Sequence, residues 1–517
     1  MFKRENIVLT ISILILSLAG TGSLYAADDG ISSLMSELEA SGFSGGATLE
    51  APAVPQVPAA KGLGGGTVSE QAGVLWGFGV SAWHAVAGQV ADSGVLPWAA
   101  AAPDFEEISK RVLAQAARTR FAPRQAGSPS LLEDEGFIQE LEAAAGSRFS
   151  GGNSTDFLVD GPESFSAKDA LIAGAQKTLF VASWAFYDDE TGYAAADLII
   201  AAKKRGVEVR VMVDGKVALS HGPRALKRLE RAGVEVLRYR ERGRDHDIWH
   251  VKTSIADYSS AITGGMNFGN PYSHKGGGPK WRDTDVLYSG PAAYDTALIF
   301  RNTWNEEAAR PGSGLTQISA PPARPSGFGG ARIAPVLQNP PTDSKILLSM
   351  IKAAYGASRE INVENAYFVA LPAVTRALLD ALKRGVKVTV LTNSPDTLNG
   401  QCKSMGVPLL KSLAALKASG AGVYLKKGDT LHSKFMTVDG VFANLGSYNL
   451  HPRGERYDTE LNVNILGRGS VAELDGAFRA DLAAAKRIDT VSDLSIKETW
   501  ISRFIEEYFL GQLSYKN

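Results

Sequence analysis

The sequence has almost no cysteine, the residue that forms disulfides and thiolate metal sites. Cys402 is the single cysteine among 517 residues. No disulfide can therefore form within the chain, and a zinc site rich in cysteine is excluded. An isolated cysteine of this kind is usually a small buried apolar side chain, so we expect a structural role for Cys402.

The chain also lacks an excess of charge of either sign. Lys and Arg total 54, Asp and Glu total 55, and the formal net charge is -1. Proteins that bind nucleic acid without sequence preference need a basic surface, because their affinity comes from neutralising phosphates. The balance argues against a nuclease without excluding one. Beyond the N-terminus the sequence contains no apolar run that predicts a transmembrane helix.

The N-terminus has the pattern of a secretory signal peptide. Lys3 and Arg4 precede an apolar run from Ile7 to Gly20, and small residues follow up to Ala26. The run is shorter than the ~20 residues that a spanning helix needs. We predict a signal peptide over residues 1–26 and export to a bacterial periplasm or the medium. Leu24 weakens the cleavage site, so an uncleaved membrane anchor is the alternative.

Residues 27–150 form an N-terminal extension of different composition. Gly, Ala and Pro are frequent, and the stretch from Ser41 to Gly66 predicts a linker because it offers little apolar surface to bury. A following segment carries Trp76, Trp83 and Trp98. It predicts either helices packed on the catalytic body or an interfacial membrane contact. Helical patterns occupy residues 105–121 and 131–146.

From Phe157 onward the pattern alternates between apolar strands and helices, and it occurs twice. Such alternation predicts an α/β fold with crossover connections and parallel strands. The stretch AAKKRGVEVRVMVDG of the first copy resembles DALKRGVKVTVLTNS of the second. We therefore predict an internal duplication, with a first half over residues 151–312, a Pro/Gly-rich connector over 313–341 and a second half over 342–517.

Each half contains the same spaced set of polar residues. A His is followed by a Lys two residues later, an Asp seven later and an Asn seventeen later. The two sets are His250, Lys252, Asp257 and Asn267, and His432, Lys434, Asp439 and Asn449. Side chains two apart on a strand point the same way, so each copy can place an imidazole beside an ammonium. The odd spacing puts Asp257 and Asp439 on the opposite face, which predicts a supporting role within the catalytic motif.

A carboxylate downstream of each motif is a candidate for orienting the imidazole. Matching WRDTDV with RYDTEL aligns Asp285 with Glu460. The distance from the His is then 35 residues in the first half and 28 in the second, the difference being assigned to a longer loop. A carboxylate that accepts a hydrogen bond from one ring nitrogen fixes the tautomer and leaves the other nitrogen free to react.

The combined set suits chemistry at phosphorus. Two ammonium groups and two amides make a pocket for an anion with several oxygens. One His can attack phosphorus while the other protonates the leaving alkoxide and then deprotonates an incoming water or alcohol. We expect no metal and no cofactor, because a zinc site would call for more carboxylates or thiols nearby.

The repeated H-x-K-x4-D-x6-G-G/S-x-N pattern resembles the paired signature of the phospholipase D superfamily. The sequences around it, including FYDDETG, ITGGMNFGNPY and GSYNLHPRGERYDTEL, are similar to those of bacterial cardiolipin synthases. The resemblance covers about residues 157–510. It implies two α/β/α sandwich halves with mixed sheets and an active site at their interface. It also implies that Asn267, Ser447 and Asn449 bind substrate, with Gly265 standing where the second half has Ser447.

In the family the histidine of the first motif is the usual nucleophile, which implies attack by His250 and protonation by His432. The residues themselves leave open which histidine attacks. We expect an exported enzyme that transfers or hydrolyses phosphatidyl groups, with a phospholipid substrate, an alcohol or water acceptor, a nearby membrane surface and no nucleic acid. One chain holds both motifs, so we expect a monomer. The alternatives are an exported nuclease or other phosphodiesterase, and a non-catalytic envelope-binding protein.

Overall fold

A computed structural model describes residues 105–239, 248–340, 343–455 and 457–495. The predicted signal peptide, the linker and the segment with Trp76, Trp83 and Trp98 lie outside these residues. Within the described part of the chain, no helix combines the length and apolarity needed to cross a membrane.

Twelve α-helices are found in the described ranges. They are α1 Phe105–Ala116, α2 Glu135–Ala145, α3 Asp160–Gly174, α4 Glu190–Lys204, α5 Val217–Ser220, α6 Pro223–Arg231, α7 Asn270–Ser273, α8 Pro291–Ala308, α9 Lys345–Gly356, α10 Pro372–Lys383, α11 Gly406–Ala418 and α12 Arg468–Ala484. Short 3-10 helices occupy Leu131–Glu133, Gly400–Met405, Pro452–Glu455 and Val491–Leu494.

Sixteen strands are found in the same ranges. They are β1 Ser150–Val159, β2 Thr178–Ser183, β3 Glu208–Asp214, β4 Glu235–Tyr239, β5 Ile248–Trp249, β6 Thr253–Ala256, β7 Ser260–Gly264, β8 Thr284–Ser289, β9 Ala331–Gln338, β10 Glu360–Asn365, β11 Lys387–Thr392, β12 Gly422–Leu425, β13 Lys434–Val438, β14 Phe442–Gly446, β15 Asp458–Leu466 and β16 Lys486–Ile488.

The strands repeat one topology twice, as the duplication predicts. The order is β16-β12-β11-β10-β13-β14-β15-β9-β1-β8-β7-β6-β2-β3-β4, with β5 paired to β15. In the first half β2, β3 and β4 are parallel, while β6, β7, β8 and β1 continue the sheet antiparallel. The second half repeats this with β10, β11 and β12, followed by β13, β14, β15 and β9. The predicted α/β fold with mixed sheets is confirmed.

Helices cover both faces of the sheet, and the alternation of side chains on β2 shows how. Leu179 and Val181 belong to a core shared with α3, α4 and α6, whereas Phe180 and Ala182 point into a core shared with α8. The second core also contains Phe435 of β13 and Phe478 of α12. It therefore joins the two halves through one continuous apolar interior.

The described end of the N-terminal extension belongs to the core of the second half. Helices α1 and α2 contribute to the cluster that contains α9 and α10. The Lys352 ammonium on α9 is buried and donates to the Glu140 carboxylate on α2 at 2.8 Å. The Ala373 N–H on α10 donates to Ser109 Oγ on α1 at 3.1 Å. Residues 105–145 are thus tied to the catalytic body rather than being a separate appendage.

Two central strands, β9 and β1, depart from the pattern expected from the sequence. β9 lies inside the predicted connector and pairs with both β15 and β1, although Pro335 in its middle cannot donate a hydrogen bond. β1 begins at Ser150, before the expected strand at Phe157, and contains Gly151 and Gly152. A register shift between Ser150 and Asn153 marks an irregularity at the β1–β9 junction of the two halves.

Candidate active site

Each motif histidine follows a short segment that pairs with the other half. The His250 N–H donates to the carbonyl of Thr459 at 2.9 Å, just after β5, which runs parallel to β15. The His432 N–H donates to the carbonyl of Arg282 at 2.7 Å, next to a bridge between Arg282 and Leu431. The backbone therefore places both histidines at the interface between the halves, as the predicted fold requires.

Each imidazole also bonds to a carboxylate from the opposite half. His250 Nδ1 lies 2.9 Å from both carboxylate oxygens of Glu460. His432 Nδ1 lies 2.7 Å from Asp283 Oδ2. A carboxylate accepts here, so the proton is assigned to Nδ1 in each ring, and Nε2 remains available for chemistry.

Glu460 contacts an imidazole as expected, but that of His250 in the opposite half and not that of His432 in its own half. The prediction of Asp285 for the first half is wrong, because Asp283 takes that place beside His432. Gly264 pairs with Asp285 and Gly446 pairs with Asn462, which makes Asp285 the counterpart of Asn462 and Asp283 the counterpart of Glu460. The correct alignment is shifted by two residues. A shift of two keeps every side chain on the same strand face, so the alternating pattern could not reveal the error.

Asp285 instead takes part in a buried ion pair below the motif. Its Oδ2 lies 2.8 Å from the Lys168 ammonium and accepts from Ser164 Oγ at 2.5 Å. Its Oδ1 accepts from the Met266 N–H at 3.3 Å, as Asn462 Oδ1 accepts from Tyr448 N–H at 3.1 Å in the second half. The conserved task of this position within the duplication is thus to hold the loop that carries the motif asparagine.

The two motif lysines are buried beside their histidines. Lys252 Nζ donates to the His250 carbonyl at 2.6 Å. Lys434 Nζ donates to the His432 carbonyl and lies 2.8 Å from His432 Nδ1. Burial lowers the pKa of Lys252 to about 7 and that of Lys434 to about 8, because the ammonium loses its hydration. Both ammonium charges lie where a bound anion can neutralise them.

The histidines are kept neutral in the free protein. Burial, together with the nearby lysine charges, lowers the pKa of His250 well below its usual value. The same causes lower the pKa of His432 to about 4, although Asp283 acts in the opposite direction. Burial raises the pKa of Glu460 well above normal, whereas His432 and Lys434 help to lower that of Asp283 against the effect of burial. The two imidazole–carboxylate pairs are thus electrostatically different.

Asp257 and Asp439, for which the sequence predicts a supporting role within the catalytic motif, accept backbone hydrogen bonds that hold the fold. Asp257 accepts the N–H groups of Gln176, Lys177 and Thr178 at 2.7–2.9 Å. Asp439 accepts three N–H groups in the same way, from Ser358, Arg359 and Glu360. Both carboxylates therefore hold the chain where β2 and β10 begin. They lie in the turns that follow β6 and β13, with positive φ, and not on the strand face assumed from the odd spacing.

The predicted substrate-binding residues are all buried next to the motifs. Asn267 is hydrogen-bonded inside the protein through both ends of its amide: the NH2 group donates to Tyr272 Oη at 3.0 Å and Oδ1 accepts from Ser183 Oγ at 3.3 Å. Ser447 Oγ accepts from the Leu461 N–H at 3.0 Å. Asn449 Oδ1, by contrast, is enclosed without a hydrogen-bond partner among the described residues.

Aromatic rings surround the histidines, and sequence reasoning did not assign them. Trp281 stacks on His432 with ring centroids 5.3 Å apart, and Tyr272 meets the same imidazole edge-on at 5.2 Å. Tyr367 lies 6.2 Å from His432 and Trp184 lies 6.0 Å from His250. These rings exclude water from the imidazoles, which explains their depressed pKa values. Sequence proximity could not have indicated them, because Trp184 and Tyr367 lie far from the motifs in the chain, while Tyr272 and Trp281 follow the first motif but contact the histidine of the second.

The described residues contain no group of three or more His, Cys, Asp or Glu placed to hold a metal ion. What the site offers is two imidazoles with free Nε2 atoms, two lysines and a dry aromatic wall. Such a set can attack, protonate and neutralise a phosphodiester.

The chain is similar to several known proteins. A family model described as "Cardiolipin synthase, PLD-like domain" matches residues 169–275 and 347–482. The major cardiolipin synthase ClsA of Bacillus subtilis is 27% identical over 372 residues, covering 68% of this chain and 73% of that protein. Cardiolipin synthase A of Pseudomonas syringae is 28% identical over 351 residues, covering 65% and 70% respectively.

Among solved structures, phosphatidylserine synthase of Haemophilus influenzae matches with a TM-score of 0.60 and 16% identity, over 72% of this chain and 97% of that one. At this identity the likeness concerns the fold. Residues 169–275 and 347–482 thus carry the PLD-like domain of the cardiolipin synthase family, and the chain as a whole is similar to bacterial cardiolipin synthases.

Proposed function

We propose that the protein transfers phosphatidyl groups from a phospholipid to an alcohol through a covalent phosphohistidine. Cardiolipin synthase is the activity named for its relatives. The observation that carries the proposal is the crossed arrangement, in which each imidazole is oriented by a carboxylate of the opposite half. Two neutral imidazoles with free Nε2 atoms can act on one phosphorus from opposite sides.

In the first step His250 Nε2 attacks phosphorus with its lone pair. The bond from phosphorus to the leaving oxygen breaks, and that oxygen takes a proton from His432 Nε2 as the alcohol departs. Lys252 and Lys434 neutralise the phosphate oxygens, whose negative charge in turn raises the depressed pKa of His432. A bound phosphodiester thus creates the protonated acid that the free protein lacks.

In the second step neutral His432 takes a proton from the acceptor hydroxyl, whose oxygen attacks phosphorus. The phosphorus–nitrogen bond breaks and its electron pair returns to His250. Asp283 favours His432 as the acid, because the carboxylate is ionised and stabilises an imidazolium beside it. With water as acceptor the same steps give phosphatidic acid.

The test uses purified protein with phosphatidylglycerol vesicles and mass spectrometry of the lipid products. We expect cardiolipin and some phosphatidic acid from the wild type, and loss of both with His250→Ala or His432→Ala. A phosphodiester with a nitrophenol leaving group needs no acid, so His432→Ala should still release nitrophenol once per site and His250→Ala should not. Full activity of either variant on phospholipid would contradict the two-histidine mechanism.

We also propose that the protein acts outside the cytoplasm at a membrane surface, and as a monomer. The basic, apolar and small-residue pattern of residues 1–26 supports export. N-terminal sequencing of protein recovered from the cell envelope should begin near Ala27. Recovery only from the cytoplasm with Met1 intact would contradict this part of the proposal.

A further inference from the structure

A buried glutamate of the second half lacks the hydrogen bonds that a carboxylate needs. Glu364 lies on β10 with no exposed surface, and neither side-chain oxygen accepts a hydrogen bond from the residues that the structure describes. The nearby Ser433 hydroxyl donates to Thr284 Oγ1 at 2.8 Å instead. An ionised carboxylate is rarely buried in this way, because it loses its hydration without replacement. Glu364 therefore needs either a paired cation or a proton of its own.

The cation beside Glu364 is already engaged by other groups. The Arg282 guanidinium lies 3.9 Å from Glu364 Oε1, which is beyond hydrogen-bond reach. It donates to the Asp481 carboxylate at 2.6–3.0 Å and to the Asp283 carbonyl at 2.5 Å. Asp160 lies 3.7 Å from the same guanidinium. One positive charge thus faces three carboxyl groups, and it cannot compensate three negative charges in a buried place.

The surroundings of Glu364 favour the proton. Helix α12 brings Asp481 and Asp475 towards β10, but Asp475 accepts a hydrogen bond of its own from Asn362 Nδ2 at 3.3 Å. Burial and then the Asp481 charge raise the pKa of Glu364 from 4.5 to about 8, although Arg282 acts in the opposite direction. A neutral Glu364 can donate to the Asp481 carboxylate, so that the two acids share one proton.

The duplication shows that the fold itself does not require an acid at this position. Glu364 pairs with Phe435 and Ala182 pairs with Thr253, and each partner is the residue that follows the motif lysine. Ala182 is therefore the counterpart of Glu364 in the first half, where it packs in the apolar core. The buried acid is a feature of the second half alone.

Arg282 connects the buried acids to the reacting histidine. Its N–H donates to the carbonyl of Thr430 at 2.9 Å, and its carbonyl accepts from the His432 N–H at 2.7 Å. The next residue, Asp283, holds His432 Nδ1 at 2.7 Å. An ionised Glu364 would attract the guanidinium away from its present bonds and so disturb this segment.

We propose that Glu364 is a positioning residue that works as a neutral acid and shares one proton with Asp481. In this state Arg282 keeps the bonds through which it positions His432. The inference rests on the proposed function, in which His432 is the acid and the base. When Glu364 loses its proton, a second negative charge competes for Arg282, and turnover falls in alkaline solution.

Glu364→Gln tests the proposal, because glutamine has the shape of the protonated acid and cannot ionise. Turnover of phosphatidylglycerol vesicles is measured from about pH 6 to about pH 10, and kcat/KM of the variant is divided by that of the wild type. The titrations of Lys252 and Lys434 are common to both proteins and cancel in this ratio. We expect a ratio within about threefold of one below pH 7, rising to about tenfold one pH unit above the pKa of Glu364. Glu360→Gln, on the same strand, is the control and should give a constant ratio.

Urea unfolding tests the proton independently of turnover. The folded protein keeps the proton of Glu364 up to about pH 8, whereas the unfolded chain releases it near pH 4.5. The wild type therefore loses stability relative to Glu364→Gln across this window. The difference between their urea midpoints should grow from pH 4.5 to about 8 and stay constant above it.

The outcomes separate this inference from the proposed function. A constant kcat/KM ratio in an active enzyme would overturn the positioning role and leave the proposed transferase standing. A midpoint difference that does not change with pH, or a Glu364→Gln variant that fails to fold, would show that the neutral acid is not the native form. If the wild type turns over no phospholipid at any pH, the proposed function fails and the positioning role fails with it.

Discussion

Exchanging Asp283 and Asp285 in turn for asparagine tests the interface that builds the site. Asp283 is fully buried and holds His432 Nδ1 at 2.7 Å, whereas Asp285 holds Lys168 at 2.8 Å. Asp283→Asn removes a charged acceptor and allows the amide to donate to Nδ1, which favours the wrong tautomer. Asp285→Asn reproduces what the second half already has at Asn462, but it leaves the Lys168 ammonium buried without its carboxylate.

The magnitudes follow from these contacts. A hydrogen bond to a charged group contributes about 1.5–3 kcal/mol, and about 1.36 kcal/mol corresponds to a tenfold change in rate. Asp283→Asn should therefore lower kcat/KM between about tenfold and about 150-fold, with more if the tautomer inverts. Asp285→Asn should leave kcat/KM within about threefold but lower the free energy of unfolding by about 3 kcal/mol, as expected when one partner of a buried pair is lost.

The assay combines turnover of phosphatidylglycerol vesicles with urea unfolding followed by tryptophan fluorescence. Each rate is divided by the fraction of folded protein, so that a loss of stability is not mistaken for a loss of catalysis. A large rate loss for Asp285→Asn together with near-normal rates for Asp283→Asn would refute the crossed arrangement. It would restore the sequence alignment in which Asp285 is the orienting acid.

Three further predictions concern charge and support. Lys252→Met should abolish turnover yet raise the unfolding midpoint, because it removes a buried ammonium. Since the pKa of Lys252 is lowered from 10.5 to about 7, the gain in stability should be full below pH 7 and shrink as the pH rises towards 10.5. A gain in stability that grows with pH would contradict the assignment. Asp257→Ala and Asp439→Ala should each lower the free energy of unfolding by about 3 kcal/mol in urea titrations, because each carboxylate accepts hydrogen bonds from three backbone N–H groups. Unchanged stability with lost turnover would instead indicate a catalytic role. Arg282→Lys should reduce both stability and turnover, because lysine cannot keep the paired bonds to Asp481 at 2.6–3.0 Å together with the bond to Thr284 Oγ1 at 2.8 Å. Wild-type stability and wild-type turnover would show that this contact between the halves does not position His432.

Much of the fold could be predicted because the halves repeat local patterns. Helices α3, α4 and α6, helices α9 to α11, and the parallel strands between them lie where apolar periodicity places them. β9 and the start of β1 were missed, because Gly151, Gly152 and Pro335 suppress the strand signal, and this part of the sheet forms by pairing between β1 and β9 rather than by local propensity. Tertiary pairing overrode composition in both cases.

The candidate site divides in the same way. The sequence by itself determined the two histidines, the two lysines and their asparagines, because the same spacing recurs in both halves, and His and Lys two residues apart on extended backbone share a face. Only the tertiary structure decided that each imidazole is oriented from the opposite half and that Asp283 rather than Asp285 orients His432. It also decided that Asn449 Oδ1, unlike Asn267 Oδ1, has no hydrogen-bond partner among the described residues. The physical reason is that a two-residue shift leaves the alternation of side chains along a strand unchanged, so the sequence pattern cannot detect it. The hydrogen bonds between strands far apart in the sequence form in only one register.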